Sequence, residues 1–117
     1  MRKLLPCLVA AAFAALPAPV TAQAGNFTLV NATGIDFTGL SVRRYGTSEW
    51  VPLTVSPAPL RNAARGAADF KDEDCAFDLR ATLPDGRTVV WPGVNLCQAK
   101  VVTLNQKAGG ALWVDYE

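Results

Sequence analysis

Histidine is absent from all 117 residues. It is the side chain that changes charge near neutral pH and the commonest metal ligand, so its absence removes Ser-His and Cys-His catalysis and most zinc chemistry. A nucleophile would need a lysine or carboxylate of displaced pKa as its base, and no motif proposes one. The chain also lacks a Gly-rich phosphate loop, a dinucleotide fingerprint and a Cys-x-x-Cys pair. Neither enzymatic activity nor a cofactor is expected.

Long hydrophobic runs are missing too. The apolar stretch from Leu4 to Leu16 is interrupted by Pro6 and followed by Pro17, and falls short of the about 20 residues that span a bilayer. It follows Met1-Arg2-Lys3 and leads to Ala22-Gln23-Ala24, a small-x-small pattern that signal peptidase accepts. Residues 1–24 therefore read as a Sec signal peptide. Residues 25–117 read as one domain, without a membrane span in the mature chain, periplasmic or secreted. No twin arginine precedes the apolar run, which favours export of an unfolded chain over export of a cofactor-loaded one.

Neither sign of charge dominates. Arg2 and Lys3 leave with the leader, so nine basic residues face ten acidic ones, a formal charge of −1. Without a basic run, nucleic acid and anionic membranes are not expected as main partners, because both are held chiefly through Lys and Arg.

Cysteine is scarce, and Cys7 belongs to the leader. The mature domain keeps Cys75 and Cys97, and two thiols in an oxidising compartment pair. The alternatives are a redox-active pair, for which the spacing is wide, and a soft-metal site, for which ligands are lacking. A structural bridge over this loop stabilises the fold by about 3 kcal/mol on the chain-entropy account.

What is present is strand signal. Short stretches rich in Val, Thr, Phe, Leu and Trp alternate with Gly, Pro, Asn and Asp at intervals of roughly ten residues. Strands are expected at Phe27–Val30, Ile35–Tyr45 with a slip near Gly39, an edge strand at Trp50–Leu53, Ala67–Phe70, Cys75–Leu83, Arg87–Trp91, Lys100–Leu104 and Ala111–Tyr116. Ser56-Pro57-Ala58-Pro59 followed by Leu60 to Gly66 is expected to form one or two helical turns, with Ser56 or Ala58 at the cap and Gly66 as the stop. Pro84-Asp85-Gly86 is a hairpin turn. A three-residue loop sets Leu79 opposite Trp91 and Ala81 opposite Val89, making Trp91 core, whereas a two-residue loop would set Arg80 against Trp91. The first is preferred because it buries more apolar surface. Pro92-Gly93 can supply the extra residue needed to bring Cys75 and Cys97 together, unless the bridge runs between sheets. The expected fold is all-β: a small antiparallel β-sandwich of about seven strands, with an immunoglobulin-like arrangement as one form, and one disulfide.

The series Cys75-Ala76-Phe77-Asp78-Leu79-Arg80, Asp85-Gly86-Arg87, Val90-Trp91 and Gly93-Val94-Asn95-Leu96-Cys97 resembles the hallmark of a group of small exported bacterial proteins of unassigned function. Phe27 to Gly34 is similar to their first strand. The resemblance covers most of the mature chain and implies a compact domain with a cysteine pair bracketing a hairpin. It brings no catalytic residues with it.

Four features are weighed as sites. Asp69, Asp72, Glu73 and Asp74 are the metal candidates, since calcium takes several oxygens on a flexible turn. They lack the alternation of a calcium loop and include Lys71, so a solvated turn is the favoured reading. Asp78 and Arg80 read as a surface ion pair of small value. Arg43 and Arg44 point to opposite faces of a strand and do not form a joint site. Among the aromatics, Trp50 beside Glu49 is the expected exposed anchor of a binding surface within residues 46–62, with Trp50 covering an open sheet edge as the alternative. Trp113 suits either a surface or a core. The expected function is a non-enzymatic binding or accessory module for a protein or envelope component. The runner-up is a small-ligand or calcium-binding protein using the turn at 69–74, and a further alternative is an inhibitor of an exported hydrolase.

Overall fold

The apolar alternation in the sequence becomes two sheets packed face to face in the computed structural model, which describes residues 23–97 and 99–117. Nine strands occur among these residues: β1 (Phe27–Ala32), β2 (Gly39–Arg44), β3 (Val51–Pro52), β4 (Thr54–Ser56), β5 (Arg65–Asp69), β6 (Ala76–Thr82), β7 (Thr88–Asn95), β8 (Val101–Gln106) and β9 (Leu112–Tyr116). One sheet has the order β4-β5-β1-β8-β9 and the other β3-β2-β6-β7. No helix appears among the described residues, and so none is long and apolar enough to cross a membrane.

The sandwich with one disulfide is the fold read from the sequence. Its strand count exceeds seven partly because the expected strand at 50–53 divides: β3 pairs with β2, the chain crosses at buried Leu53, and β4 joins the other sheet beside β5. This crossing closes one flank of the sandwich. All strand pairs are antiparallel except β1 with β8, which run parallel. Neither the strand order nor the disulfide is immunoglobulin-like, because the bridge lies within one sheet instead of joining two.

The core forms where the two inner faces meet. Leu29, Val102, Leu104 and Ala68 come from the five-stranded sheet, and Val42, Phe77, Leu79, Ala81, Trp91 and Val94 from the four-stranded one. Burying each of the larger side chains contributes about 1.5–3 kcal/mol. Trp91 is the largest of them, packs beside Phe37 and donates its indole N–H to the carbonyl of Asn105 at 3.0 Å. Its position follows from the hairpin register: Leu79 faces Trp91 and Ala81 faces Val89, over the three-residue loop Pro84-Asp85-Gly86. At the far end of the hairpin the register shifts between Phe77 and Leu79, so that Pro92-Gly93 bulges opposite Asp78. Gly93 takes φ of 64°, which favours glycine. The bulge brings Cys75 and Cys97 to a Cα separation of 5.0 Å, bridged.

Two expected elements are corrected. The segment 57–66 has no helical turn, and Gly66 lies in β5 instead of ending a helix. Its backbone groups are committed elsewhere: Leu60 O accepts from Phe37 N, Ala63 N donates to Asn31 O, and Ala64 O accepts from Asn31 N. Gly66 also admits β4 so closely that a Cβ would stand 2.5 Å from Val55 Cγ1. Likewise Ile35–Thr38 precedes β2 instead of belonging to it, because the Ile35 carbonyl turns to the Asn31 side chain. Most of the expected leader lies outside the described residues. Ala24, its last residue, is 2% exposed and exchanges two backbone hydrogen bonds with Asp72, so the packed unit reaches one residue further back than Gly25.

Candidate functional site

The outer face of the four-stranded sheet is built by strand alternation. Val42 on β2 and Leu79 on β6 point inward and face one another, which turns Arg43, Asp78 and Arg80 outward. In this register Arg43 lies opposite Asp78, and Arg80 lies opposite Ser41 on one side and Val90 on the other.

Arg43 Nε donates to Asp78 Oδ2 at 2.8 Å, and the amide of Gly93 in the bulge donates to Asp78 Oδ1 at 3.0 Å. Asp78 is only 4% exposed although it sits on the outer face. The expected surface pair of Asp78 with Arg80 is therefore corrected: the partner is Arg43, across the strands, and the carboxylate is buried. Same-strand neighbours two apart share a face, but the cross-strand neighbour directly opposite is closer.

Arg80 turns instead to Trp50. The guanidinium carbons of Arg43 and Arg80 each lie 4.3 Å from the centroid of the Trp50 ring. Trp50 is half-buried in this cluster, just before β3 at the sheet's edge. The aromatic quadrupole attracts both cations, each contact being worth about 0.5–2 kcal/mol according to its exposure. Trp50 is thus neither a free anchor nor only an edge cover: it is an aromatic platform fixed by two arginines. Trp113 on β9 is 41% exposed with the Lys107 ammonium 5.9 Å from its ring.

Beside the platform, Arg43, Arg44, Glu49, Asp72 and the apolar side chains of Val42, Val51, Phe70 and Phe77 are among the residues lining an open cleft of about 390 Å³. Glu49, the companion of Trp50 in the expected binding surface, is exposed on its rim. Arg44 reaches the other wall, where Nη2 meets Asp72 Oδ1 at 3.0 Å and Nε meets Asp74 Oδ2 at 3.2 Å. The hydrogen bond and charge of Asp72, joined by the charge of Asp74, raise the Arg44 pKa above its ordinary value. Partial desolvation works against the charge on Asp72, but the Asp74 amide and Arg44 outweigh it, holding the carboxyl below the ordinary range. Arg43 and Arg44 thus serve different carboxylates, as their opposite faces require.

The acidic turn is accounted for by these contacts. Asp72 and Asp74 are held by Arg44, Asp69 lies in β5, and Glu73 is exposed. Among the described residues no group of three or more Cys, Asp or Glu side chains is arranged to hold a metal.

Sequence reasoning singled out Trp50 and Glu49 but missed Arg43 and Arg80 as the partners of Trp50. The available signal was the outward alternation of Asp78 and Arg80, which could be used only with the β2–β6 register in hand.

No protein-family model matches the chain, and no curated protein matches it. Among solved structures, an NMR structure of a protein from Eubacterium rectale is similar with a TM-score of 0.49 and 16% identity, covering 85% of this chain and 93% of that one.

Proposed function

We propose that this protein is a non-enzymatic binding or accessory module, periplasmic or secreted, that recognises a protein or envelope component through the Trp50–Glu49 surface. The observation that carries the reading is the convergence of Arg43 and Arg80 on one tryptophan beside an open cleft. Tryptophan and arginine supply large contact area and directional donors, and they dominate binding energy where they cluster. Here Arg43 and Arg80 stand on the paired strands β2 and β6 and hold the Trp50 ring, so little ordering entropy remains to be lost on association. The leader-like residues 1–24 and the cysteine pair support the location.

A photo-crosslinking amino acid placed at Glu49 in the producing cells tests the reading. A discrete product in the envelope or culture fluid, lost when Trp50→Ala is added, is the expected result. Absence of any product, or a product indifferent to Trp50, would exclude this surface as the recognition site.

A further inference from the structure

The arginine cluster is unevenly compensated. Asp78 gives one oxygen to Arg43 and the other to the Gly93 amide, so its hydrogen bonds leave Arg80 without a carboxylate. None of the ion pairs among the described residues includes Arg80. Its Nε is buried and has no hydrogen-bond partner, an arrangement that leaves part of a cation desolvated without return. No hydrogen bond or ion pair among the described residues uses its terminal nitrogens, and they are not among the buried unpartnered atoms, so these two donors keep some access to solvent. The flat ring of Trp50 holds that guanidinium in place.

We propose that Arg80 is a receptor for a monoanionic carboxylate, bound end-on through its two terminal nitrogens. This deepens the binding-module reading and rests on it for biological meaning, by naming the chemistry the surface accepts. A guanidinium fork matches the two oxygens of a carboxylate in one plane, and charge assistance makes such bonds roughly twice as strong as neutral ones. Charge selects the ligand class. The contacting groups Arg43, Arg80 and Asp78 leave one net positive charge, which a carboxylate neutralises and a phosphate dianion overcompensates. Val90 beside Arg80 and the ring of Trp50 supply apolar surface for the body of the ligand.

The test is an NMR titration of the purified protein at constant ionic strength, following the Arg80 Nε–H and Trp50 indole N–H signals. Acetate, benzoate and inorganic phosphate are the probes. Saturable shifts of both signals are expected with the carboxylates, benzoate binding tighter than acetate and phosphate no tighter than either. Arg80→Gln should weaken carboxylate binding by about tenfold or more, as expected from loss of a charge-assisted pair. Arg80→Lys keeps the charge but not the fork and should weaken it several-fold, while Arg65→Gln, which removes an exposed cation from β5 of the other sheet, leaves it unchanged. Non-saturating shifts, binding indifferent to Arg80→Gln in a protein with an otherwise native spectrum, or phosphate binding tighter than both carboxylates would overturn the proposal. Because the titration needs no partner, its failure is separable from failure of the Glu49 crosslink.

Discussion

Arg43 Nε lies 2.8 Å from Asp78 Oδ2, joining β2 to β6 across the outer face of the smaller sheet. The two ends of this pair are unequal, with side-chain exposures of 29% for the arginine and 5% for the aspartate. Removing the aspartate strands the Gly93 amide and a partly buried cation. Asp78→Ala is therefore expected to destabilise the fold by about 3 kcal/mol, at the lower end for broken buried pairs because Arg43 can rehydrate. Asp78→Asn keeps an oxygen for Gly93 and should lose less. Urea denaturation of the two variants checks the order.

Asn31 is a second buried polar hub. Its Nδ2 donates to Ile35 O at 2.8 Å and Leu60 O at 3.1 Å, while Oδ1 accepts from the Thr33 amide and hydroxyl. Both amide donors and the carbonyl oxygen are used, and the residue is fully buried. Asn31→Ala would leave these groups unpaired and is expected to lower stability by roughly 2–4 kcal/mol. Asn31→Asp retains the acceptor but loses both donors, and should also be strongly destabilised. The urea midpoint should fall with little change in slope if the fold is otherwise retained.

These two hubs separate what sequence reveals from what it hides. Strands β6 to β9 were legible because their apolar residues alternate, and the register of the β6–β7 hairpin because only one choice buries Trp91 beside Leu79. The site was half legible. Trp50 and Glu49 stand out by residue type in a proline-rich stretch, but Arg43 and Arg80 meet Trp50 only through pairing between strands distant in sequence. Asn31 directly follows the expected strand Phe27–Val30, and nothing local shows that its amide reaches Leu60, 29 positions away. The segment 57–66 carries helix punctuation, yet its backbone partners are Asn31 and Phe37, and tertiary hydrogen bonds override the local preference.

The disulfide acts chiefly on the unfolded chain, because β6 and β7 are already paired beside it. Cys75 and Cys97 are 22 residues apart, a loop for which the chain-entropy account gives about 3 kcal/mol. Cys75→Ser with Cys97→Ser should lose up to that amount while retaining the same strand content by circular dichroism. Loss of the sheet signal itself would mean that the bridge is needed to form the hairpin. Wild-type protein treated with reductant should show the same fall in melting temperature.

Acid should loosen the clasp between β2 and the acidic turn. The Asp72 carboxyl is held below its ordinary value of 3.8, so its contribution to stability is complete above that value and lost as pH falls through the lowered one. Arg44→Gln removes one cause of the lowering. The stability difference between wild type and this variant should be present at about pH 6 and shrink below about pH 4. Urea midpoints measured across that range check it. A gap of constant size would place the role of Arg44 in packing instead of charge. Calcium should not raise the melting temperature of the wild type, because Arg44 already engages Asp72 and Asp74.

The start of the packed unit gives the last test. Ala24 N donates to Asp72 O at 3.0 Å and Asp72 N returns a bond to Ala24 O at 3.1 Å, with the Ala24 methyl in the core. Cleavage after Ala24 would remove this bridge together with its buried methyl group. Two hydrogen bonds and one methyl, reduced by fraying at a chain end, correspond to roughly 1–2 kcal/mol. A chain spanning 23–117 is therefore expected to be more stable than one spanning 25–117 by that amount. The same clasp holds Asp72 near Arg44, so the shorter chain should also show a weaker effect of Arg44→Gln. Comparable stability of the two chains would mean that the bridge adds nothing and that Gly25 is an adequate beginning. Intact-mass measurement of the protein isolated from the producing cells would then show where its chain starts, and a start at Gln23 would keep Ala24 in the fold.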